Sequence, residues 1–281
     1  MTDADVELIQ QILANIKSGK LQLPSPPEFA QDLHKAIEEE SRDTAYVARI
    51  IQYDPGLATR IIQVANSALF RGRSQVTSCK EAVTRIGLRT LKQLVLSFTL
   101  GNAFAARNSR VKSLMAECWE FSREVAVMSF IIASKTPGID PHRALMAGLL
   151  HNVGELPVLQ YVDGFPELLE PPSRLSNMTD KLRGPLGTLV LRSWKFDNEL
   201  ASVPTDIGDR LRDSGQAPDY VDIVTIALEF IGLEKGIDTG QPRLFELPAF
   251  RKLPLSQLGP EECLQTLQDA GLELGVVKAL L

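Results

Sequence analysis

The sequence is poor in the residues that build imidazole or thiolate metal sites, with three histidines and three cysteines in 281 residues. Cys79, Cys118 and Cys263 are far apart and form no C-x-x-C pair. Neither a disulfide framework nor a cysteine zinc site is therefore expected. We interpret each cysteine as a small buried hydrophobic residue.

A surplus of basic charge is also missing, since 30 lysines and arginines face 35 acidic residues and the net charge is −5. Nucleic-acid-binding proteins gain much of their affinity by neutralising phosphates, so we expect no nucleic-acid partner. Basic residues do cluster locally, and these are Arg60, Arg71, Arg73, Lys80, Arg85, Arg89 and Lys92. We interpret this cluster as a solvated helix face.

No apolar run approaches the ~20 residues that a membrane-spanning helix requires. The chain begins MTDADVELIQQ, which lacks the basic region and the apolar core of a signal peptide. We therefore expect a cytoplasmic protein that is not inserted in a membrane.

Strand-like alternation is almost absent, whereas apolar residues recur at helical spacing nearly everywhere, which predicts an all-α fold. The pairs Asp54-Pro55 and Asp140-Pro141 are typical helix starts. The stretch 163–185 contains several prolines and glycines and predicts a long loop or a series of turns. Helices are predicted over 3–18, 28–40, 44–52, 110–134, 185–195, 199–213 and 218–234.

The segment Gly148-Leu149-Leu150-His151-Asn152-Val153-Gly154-Glu155-Leu156 resembles the G-L-L-H-D-I-G-K-L signature of the HD metal-dependent phosphohydrolase superfamily. Other segments resemble its HDOD subfamily, an HD-related output domain of bacterial signalling proteins. They are Leu23-Pro24-x-x-Pro27, Asp54-Pro55-x-Leu57, Val64-Ala65-Asn66-Ser67-Ala68, Val76-Thr77-Ser78, Ile86-Gly87-Leu88, Trp119, Trp194-Lys195-Phe196 and Leu247-Pro248-Ala249-Phe250-Arg251-Lys252-Leu253.

This resemblance covers roughly residues 21–255, in order. It implies an HD-like multi-helix bundle, with an N-terminal helical subdomain packed on a degenerate HD core. We expect an N-terminal helix over 1–20, an HDOD domain over 21–213 and a C-terminal helical extension over 214–281. Within the HDOD domain, residues 21–106 would form the subdomain and residues 107–213 the core.

The resemblance also implies a chemistry that this chain lacks the residues to perform. Metal-dependent members use a histidine on the long helix, an adjacent His-Asp pair and a later Asp or His to hold divalent metals that activate water. Here the pair is His151-Asn152, the first histidine is replaced by Phe121, and Glu155 stands where lysine is usual. No histidine follows Trp194, although Asp206 lies in that region. We predict no catalytic residue, no metal and no cofactor.

Each of these positions also has a purely structural interpretation. His151 is either a buried, hydrogen-bonded histidine at a helix end or a metal ligand, and Asn152 can satisfy a neighbouring backbone group. Glu155 either pairs with His151 as an ion or shares a weak metal site with it. His142 and His151 are nine residues apart, a rotation of about 900°, so we expect them to face opposite sides of one helix.

In the N-terminal part, Arg60 and the pair Asn66-Ser67 resemble features of the HDOD family. Together with Arg85 and Arg89 they form a possible surface for a partner or ligand. Asn66 and Ser67 could equally cap the end of a helix.

Three functions follow from these observations. The first is a non-catalytic signalling protein that binds other signalling proteins, as the HDOD resemblance implies. The second is a divergent phosphohydrolase with a metal site built from His151, Glu155 and Asp206. The third is a protein that binds a nucleotide, such as a cyclic dinucleotide, without hydrolysing it.

Overall fold

The computed structural model describes residues 44–70, 74–88, 106–237 and 242–273, with single positions at 10, 14, 72, 90, 91, 94, 95, 98 and 240. Within these ranges every regular element is a helix, which confirms the all-α prediction. The helices predicted over 3–18 and 28–40 lie outside the described residues, apart from positions 10 and 14.

Eleven α-helices are described, joined by short 3-10 turns at Ala68–Phe70, Pro166–Leu169, Leu244–Glu246 and Pro254–Gln257. The α-helices are α1 (Thr44–Gln52), α2 (Pro55–Ala65), α3 (Cys79–Ile86), α4 (Ser109–Ser134), α5 (Pro141–Leu150), α6 (Glu155–Gly164), α7 (Pro172–Ser193), α8 (Asn198–Asp206), α9 (Tyr220–Glu234), α10 (Pro248–Arg251) and α11 (Pro260–Glu273). None of these helices is long and apolar enough to cross a membrane.

The described residues form two compact units. The larger unit comprises residues 106–260, and the smaller comprises residues 44–98 with residues 261–273. The domain boundaries expected after residues 20, 106 and 213 stay predictions.

In the smaller unit, α1, α2 and α3 pack against one another through their apolar faces. Asp54 caps α2 by accepting hydrogen bonds from the backbone N–H groups of Gly56 (2.9 Å) and Leu57 (3.1 Å). The predicted helix start at Asp54-Pro55 is therefore confirmed, as is the helix over 44–52. Gly87 ends α3 with a positive φ of 80°, a conformation that glycine adopts without steric cost.

In the larger unit, α4 is the longest helix and packs against both α5 and α9. Asp140 caps α5 as predicted, accepting from the backbone N–H groups of His142 and Arg143. After residues 151–154, α6 packs against α7, which in turn packs against α8. The segment 151–154 therefore connects the α4–α5 pair with the α6–α7–α8 group.

Gly148 and Gly154 permit very close helix contacts. A Cβ atom on Gly148 would lie 2.8 Å from Ala126 Cα, on α4. A Cβ atom on Gly154 would lie 1.9 Å from the carbonyl oxygen of Arg183 and 2.3 Å from the backbone nitrogen of Gly187, both on α7. Gly148 and Gly154 thus have a packing role.

The prediction of a loop over 163–185 is wrong, because α7 runs through most of it. Pro172 occupies the first turn, where a helix needs no N–H donor. Pro185 lies inside the helix with its ring exposed. Gly187 meets the ring of Pro204 on α8 at close range, so tertiary packing stabilises the helix in spite of its prolines.

The predicted helix over 199–213 is correct only in its first half, since α8 ends at Asp206. Residues 207–219 contain turns and extended segments. Their side chains attach to α9, because Arg210 forms two hydrogen bonds with the buried carboxylate of Glu229.

We predict that Gly154→Ala lowers the free energy of unfolding by about 3 kcal/mol, because a methyl group there collides with the backbone of α7. Gly164→Ala is the matched control, since Gly164 ends the helix that Gly154 precedes and a methyl group there would meet no described atom within 4 Å. Chemical denaturation followed by circular dichroism measures both variants. Equal stability of the two variants would contradict the packing role of Gly154.

Candidate functional site

His151 lies at the C-terminal end of α5 with only 4% of its surface exposed. Its Nδ1 atom donates a hydrogen bond to the carbonyl oxygen of Gly148 (2.6 Å). The pKa of His151 is lowered to about 4, mainly by burial and also by the charge of Arg183, against the opposing effect of the bond to Gly148. The imidazole is therefore neutral near pH 7.

Phe121, on α4, packs its ring against His151 in an edge-on arrangement with ring centroids 5.9 Å apart. The ammonium group of Lys235, at the end of α9, lies 5.3 Å from the centroid of the same phenyl ring. Lys235 also forms an ion pair with Glu124 on α4 (2.5 Å). Phe121 thus stands at the position expected for the first metal-binding histidine, and its side chain has no atom that could bind a metal. Its ring packs between the His151 imidazole and the Lys235 ammonium group.

Asn152 belongs to a group of three hydrogen-bonded side chains. Its Nδ2 atom donates to Glu155 Oε2 (2.5 Å) and to Cys118 Sγ (3.3 Å), and only 6% of the residue is exposed. The Cys118 thiol also interacts electrostatically with Glu155. We call Cys118, Asn152 and Glu155 the amide–carboxylate cluster.

Burial raises the pKa of both titratable side chains in this cluster. Burial, followed by the neighbouring Glu155, raises the pKa of the Cys118 thiol well above its ordinary value. Burial also raises the pKa of the Glu155 carboxyl, while the hydrogen bond from Asn152, the interaction with Cys118 and the charge of Arg183 act in the opposite direction. The Oδ1 atom of Asn152 is buried and has no hydrogen-bond partner among the described residues.

The expected ion pair between His151 and Glu155 is not formed. A buried imidazole with a pKa of about 4 is uncharged, so it offers Glu155 no positive charge. Glu155 instead accepts its hydrogen bond from Asn152.

Asp206, the third residue of the divergent metal site, ends α8 and interacts electrostatically with Arg212. Across the described ranges, no group of three or more His, Cys, Asp or Glu side chains is arranged to hold a metal ion.

The expectation that His142 and His151 face opposite sides stays a prediction, since each ring contacts a different phenylalanine of α4 and these two phenylalanines are also nine residues apart. His142 packs against Phe130 (5.4 Å between centroids), and His151 packs against Phe121. They are nonetheless separated by nine residues of helical rise, about 13 Å, which is too far for one metal ion.

In the smaller unit, Asn66 and Ser67 use their polar atoms internally. Asn66 donates from Nδ2 to the carbonyl oxygen of Val76 (2.7 Å) and accepts at Oδ1 from the N–H group of Val76 (2.8 Å). Ser67 Oγ donates to the carbonyl oxygen of Val64 (2.7 Å). These contacts favour the structural alternative, in which the pair ends α2 and fastens the following loop.

The arginines proposed for a partner surface also have internal contacts. Arg85 donates to the carbonyl oxygens of Ala65 (3.3 Å) and Ser74 (2.6 Å). The guanidinium of Arg60 stacks 4.5 Å from the centroid of the Phe98 ring. Arg89 lies outside the described residues.

The described residues form an all-helical bundle in which the His151 segment joins α5 to α6. This is the arrangement expected for a protein of the HD class. The sequence profile of the HDOD domain matches residues 23–205. The chain belongs to the HDOD domain family, which confirms the family resemblance.

Solved structures give the same fold. A protein of Shewanella amazonensis SB2B, provisionally named a metal-dependent phosphohydrolase, is 28% identical and superposes with a TM-score of 0.81 over 97% of this chain and 99% of its own. An HDOD domain protein of unknown function from Geobacter sulfurreducens is 18% identical, with a TM-score of 0.67 over 98% of this chain and 97% of its own. A Marinobacter aquaeolei VT8 protein, provisionally named a signal transduction protein, is 17% identical, with a TM-score of 0.62 over 99% and 65% of the two chains.

An uncharacterised protein of Treponema pallidum is 27% identical over a 203-residue alignment that covers 66% of this chain. The match spans only 37% of that relative's length. The rest of that relative is not aligned with any part of this chain.

Two residues of the site were not anticipated from the sequence. Cys118 was interpreted as a hydrophobic residue, although it lies one helical turn before Phe121 and therefore shares its side of α4. Arg183 influences the pKa values of His151, Cys118 and Glu155, but it falls in the stretch that was wrongly predicted to be a loop.

We predict that the His151 imidazole titrates with a midpoint near pH 4, measured from the Cε1–Hε1 signal in a ¹³C-edited NMR titration. The unfolded histidine takes up its proton near pH 6.5, so stability is complete above that pH and falls by roughly 3 kcal/mol as pH decreases from 6.5 to about 4. His151→Gln assigns the signal and should remove this part of the pH dependence. A midpoint near 6.5 would show that the ring is not held neutral by burial.

We predict that Asn66→Ala costs about 2 kcal/mol of unfolding free energy, because it leaves both backbone groups of the buried Val76 without their partner. Gln63→Ala, at an exposed position of α2, is the matched control and should change stability little. Thermal and chemical unfolding of both variants provide the measurement. If the two variants are equally stable, Asn66 does not have the fastening role described above.

Proposed function

We propose that the chain is a non-catalytic signalling protein that acts by binding other signalling proteins, with residues 151–155 serving as structure. The observation that carries this proposal is the contact between Phe121 and His151. It fills the position of a required metal ligand with a phenyl ring. Membership of the HDOD family supports a role in signalling.

The donor chemistry around His151 also supports this proposal. A divalent cation needs deprotonated or carbonyl-type ligands, arranged around one point. Asn152 turns its N–H₂ group, not its oxygen, toward Glu155 and Cys118. The Cys118 thiol has a strongly raised pKa, so it resists becoming the thiolate that a metal would bind. The residues present therefore do not fit the metal that the name of the Shewanella protein implies.

A cytosolic location is part of the proposal. All three cysteines are free and buried, which fits a reducing compartment.

The alternative is a divergent phosphohydrolase, favoured by the similarity to the Shewanella protein and by that protein's provisional name. Its metal would have to be held by His151, Glu155 and Asp206. In the part of the chain that the structure describes, these residues are not among any group of three or more His, Cys, Asp or Glu side chains that could hold a metal ion, which counts against this site.

The proposal predicts that purified protein, supplied with Mn²⁺, Fe²⁺ or Zn²⁺ and then desalted, retains far less than one metal ion per chain. It also predicts no hydrolysis of bis(p-nitrophenyl) phosphate or cyclic dinucleotides above the rate of His151→Ala. Elemental analysis by inductively coupled plasma mass spectrometry and chromatography of the products provide the measurements.

His142→Ala is the control variant, because it removes a histidine on the same helix that is remote from the site. Stoichiometric metal together with hydrolysis that is lost in His151→Ala and kept in His142→Ala would contradict the proposal. Circular dichroism checks that both variants are folded.

A further inference from the structure

The amide–carboxylate cluster connects α4 with the start of α6. Cys118 comes from α4, Asn152 from the turn after α5, and Glu155 from the first residue of α6. Asn152 joins the other two directly by donating a hydrogen bond to each, and the Cys118 thiol interacts electrostatically with Glu155. A change in one side chain therefore alters the hydrogen-bonding requirement of the next.

The direction of the hydrogen bonds in the cluster is set by Glu155. An ionised carboxylate only accepts hydrogen bonds, so the group that faces it at 2.5 Å must be a donor. The amide of Asn152 meets that requirement with one N–H group and uses the other for Cys118. An aspartate at position 152 would instead place a second carboxylate against the first, in a site where Asn152 is only 6% exposed.

The unpartnered Oδ1 atom of Asn152 shows how strongly the cluster selects this orientation. Rotating the amide by half a turn would exchange its oxygen and nitrogen, but it would aim the oxygen at the carboxylate of Glu155. The side chain therefore leaves a buried oxygen without a partner in the described part of the chain and keeps its donors on Glu155 and Cys118. The cost of a buried acceptor is offset by two hydrogen bonds, one of them to a carboxylate.

We propose that Asn152 and Glu155 are one coupled pair, in which the carboxylate at position 155 requires a donor at position 152 and thereby excludes an aspartate from the metal-site position. The inference rests on the proposed function, because it explains how the site stays free of a divalent metal. A divalent metal would favour a carboxylate at position 152, but in the metal-free protein that carboxylate would face Glu155 with no cation between them. Replacement of Asn152 by aspartate alone therefore weakens the metal-free fold and leaves the ligand missing at Phe121 unreplaced.

A double-mutant cycle with Asn152→Asp, Glu155→Gln and the combined variant tests the coupling, with unfolding in denaturant at pH 8 as the readout. Asn152→Asp should raise the unfolding equilibrium constant by about tenfold or more, as contacting residues with conflicting groups do. In the combined variant, the introduced glutamine amide can donate to the introduced aspartate, so the stability should return to near that of the starting protein. Glu155→Gln alone keeps an acceptor for Asn152 and should remain folded.

Asn198→Asp is the control, because it adds the same charge at an exposed position and should have an equal effect with or without the Glu155→Gln change. If Asn152→Asp fails to fold, recovery of a folded protein in the combined variant still supports the coupling. Equal losses from Asn152→Asp in both backgrounds, or no loss in either, would overturn the inference.

The metal content of the starting protein separates this inference from the proposed function. Stoichiometric Mn²⁺ or Zn²⁺ in the starting protein, with phosphodiester hydrolysis, contradicts the proposed function and with it this inference. Additive stabilities in a protein that is metal-free and inactive contradict the coupling alone. The Asn152→Asp protein should also bind less than one metal ion per chain. Stoichiometric metal in that variant would contradict the claim that the substitution alone does not create a metal site.

Discussion

The site depends on the close approach of the Gly154 backbone to α7. No side chain fits there, since a Cβ atom would lie 1.9 Å from the carbonyl oxygen of Arg183. This contact holds the turn between α5 and α6 against α7, while Gly148 lets α5 approach α4 just before the turn. These two contacts fix the backbone from which His151, Asn152 and Glu155 project.

With its backbone held in this way, the turn carries side chains that satisfy one another. His151 is neutral, bonds to its own helix and packs on Phe121. Asn152 bridges α4 and α6 through Cys118 and Glu155. In a catalytic metal centre, the lone pairs of His151 and of ligating groups at positions 121, 152 and 206 would have to be directed at a common point. Here the interactions are directed at neighbouring helices, which makes this region a structural joint of the larger unit.

Much of the fold could be predicted from the sequence because each helix start depends on residues that are adjacent in the chain. Asp54-Pro55 and Asp140-Pro141 place a capping acceptor before a proline, and both start helices as expected. The resemblance at residues 148–156 likewise matched the family that the profile identifies. The alignment of Phe121 with a ligand position agrees with its contact to His151, although the role of these residues remains a proposal.

The remaining features depend on contacts between distant residues, which local patterns do not contain. Helix α7 exists despite Pro185 because its glycines pack against α6 and α8. The interaction between Cys118 and Glu155 joins α4 to α6, two helices that are distant in the sequence and adjacent only in the fold. Asn66 and Arg85 looked available for a ligand, but they bond to loop carbonyls of their own unit.

The central claim is that the His151 segment is a metal-free joint between helices. Paramagnetic line broadening by Mn²⁺ tests it most directly, because it detects even weak binding at individual residues. We predict that the His151 ring and the Asn152 side-chain N–H₂ signals broaden no more than those of buried residues elsewhere in the larger unit. Selective, saturable broadening of these two residues at low Mn²⁺ concentration would contradict the account.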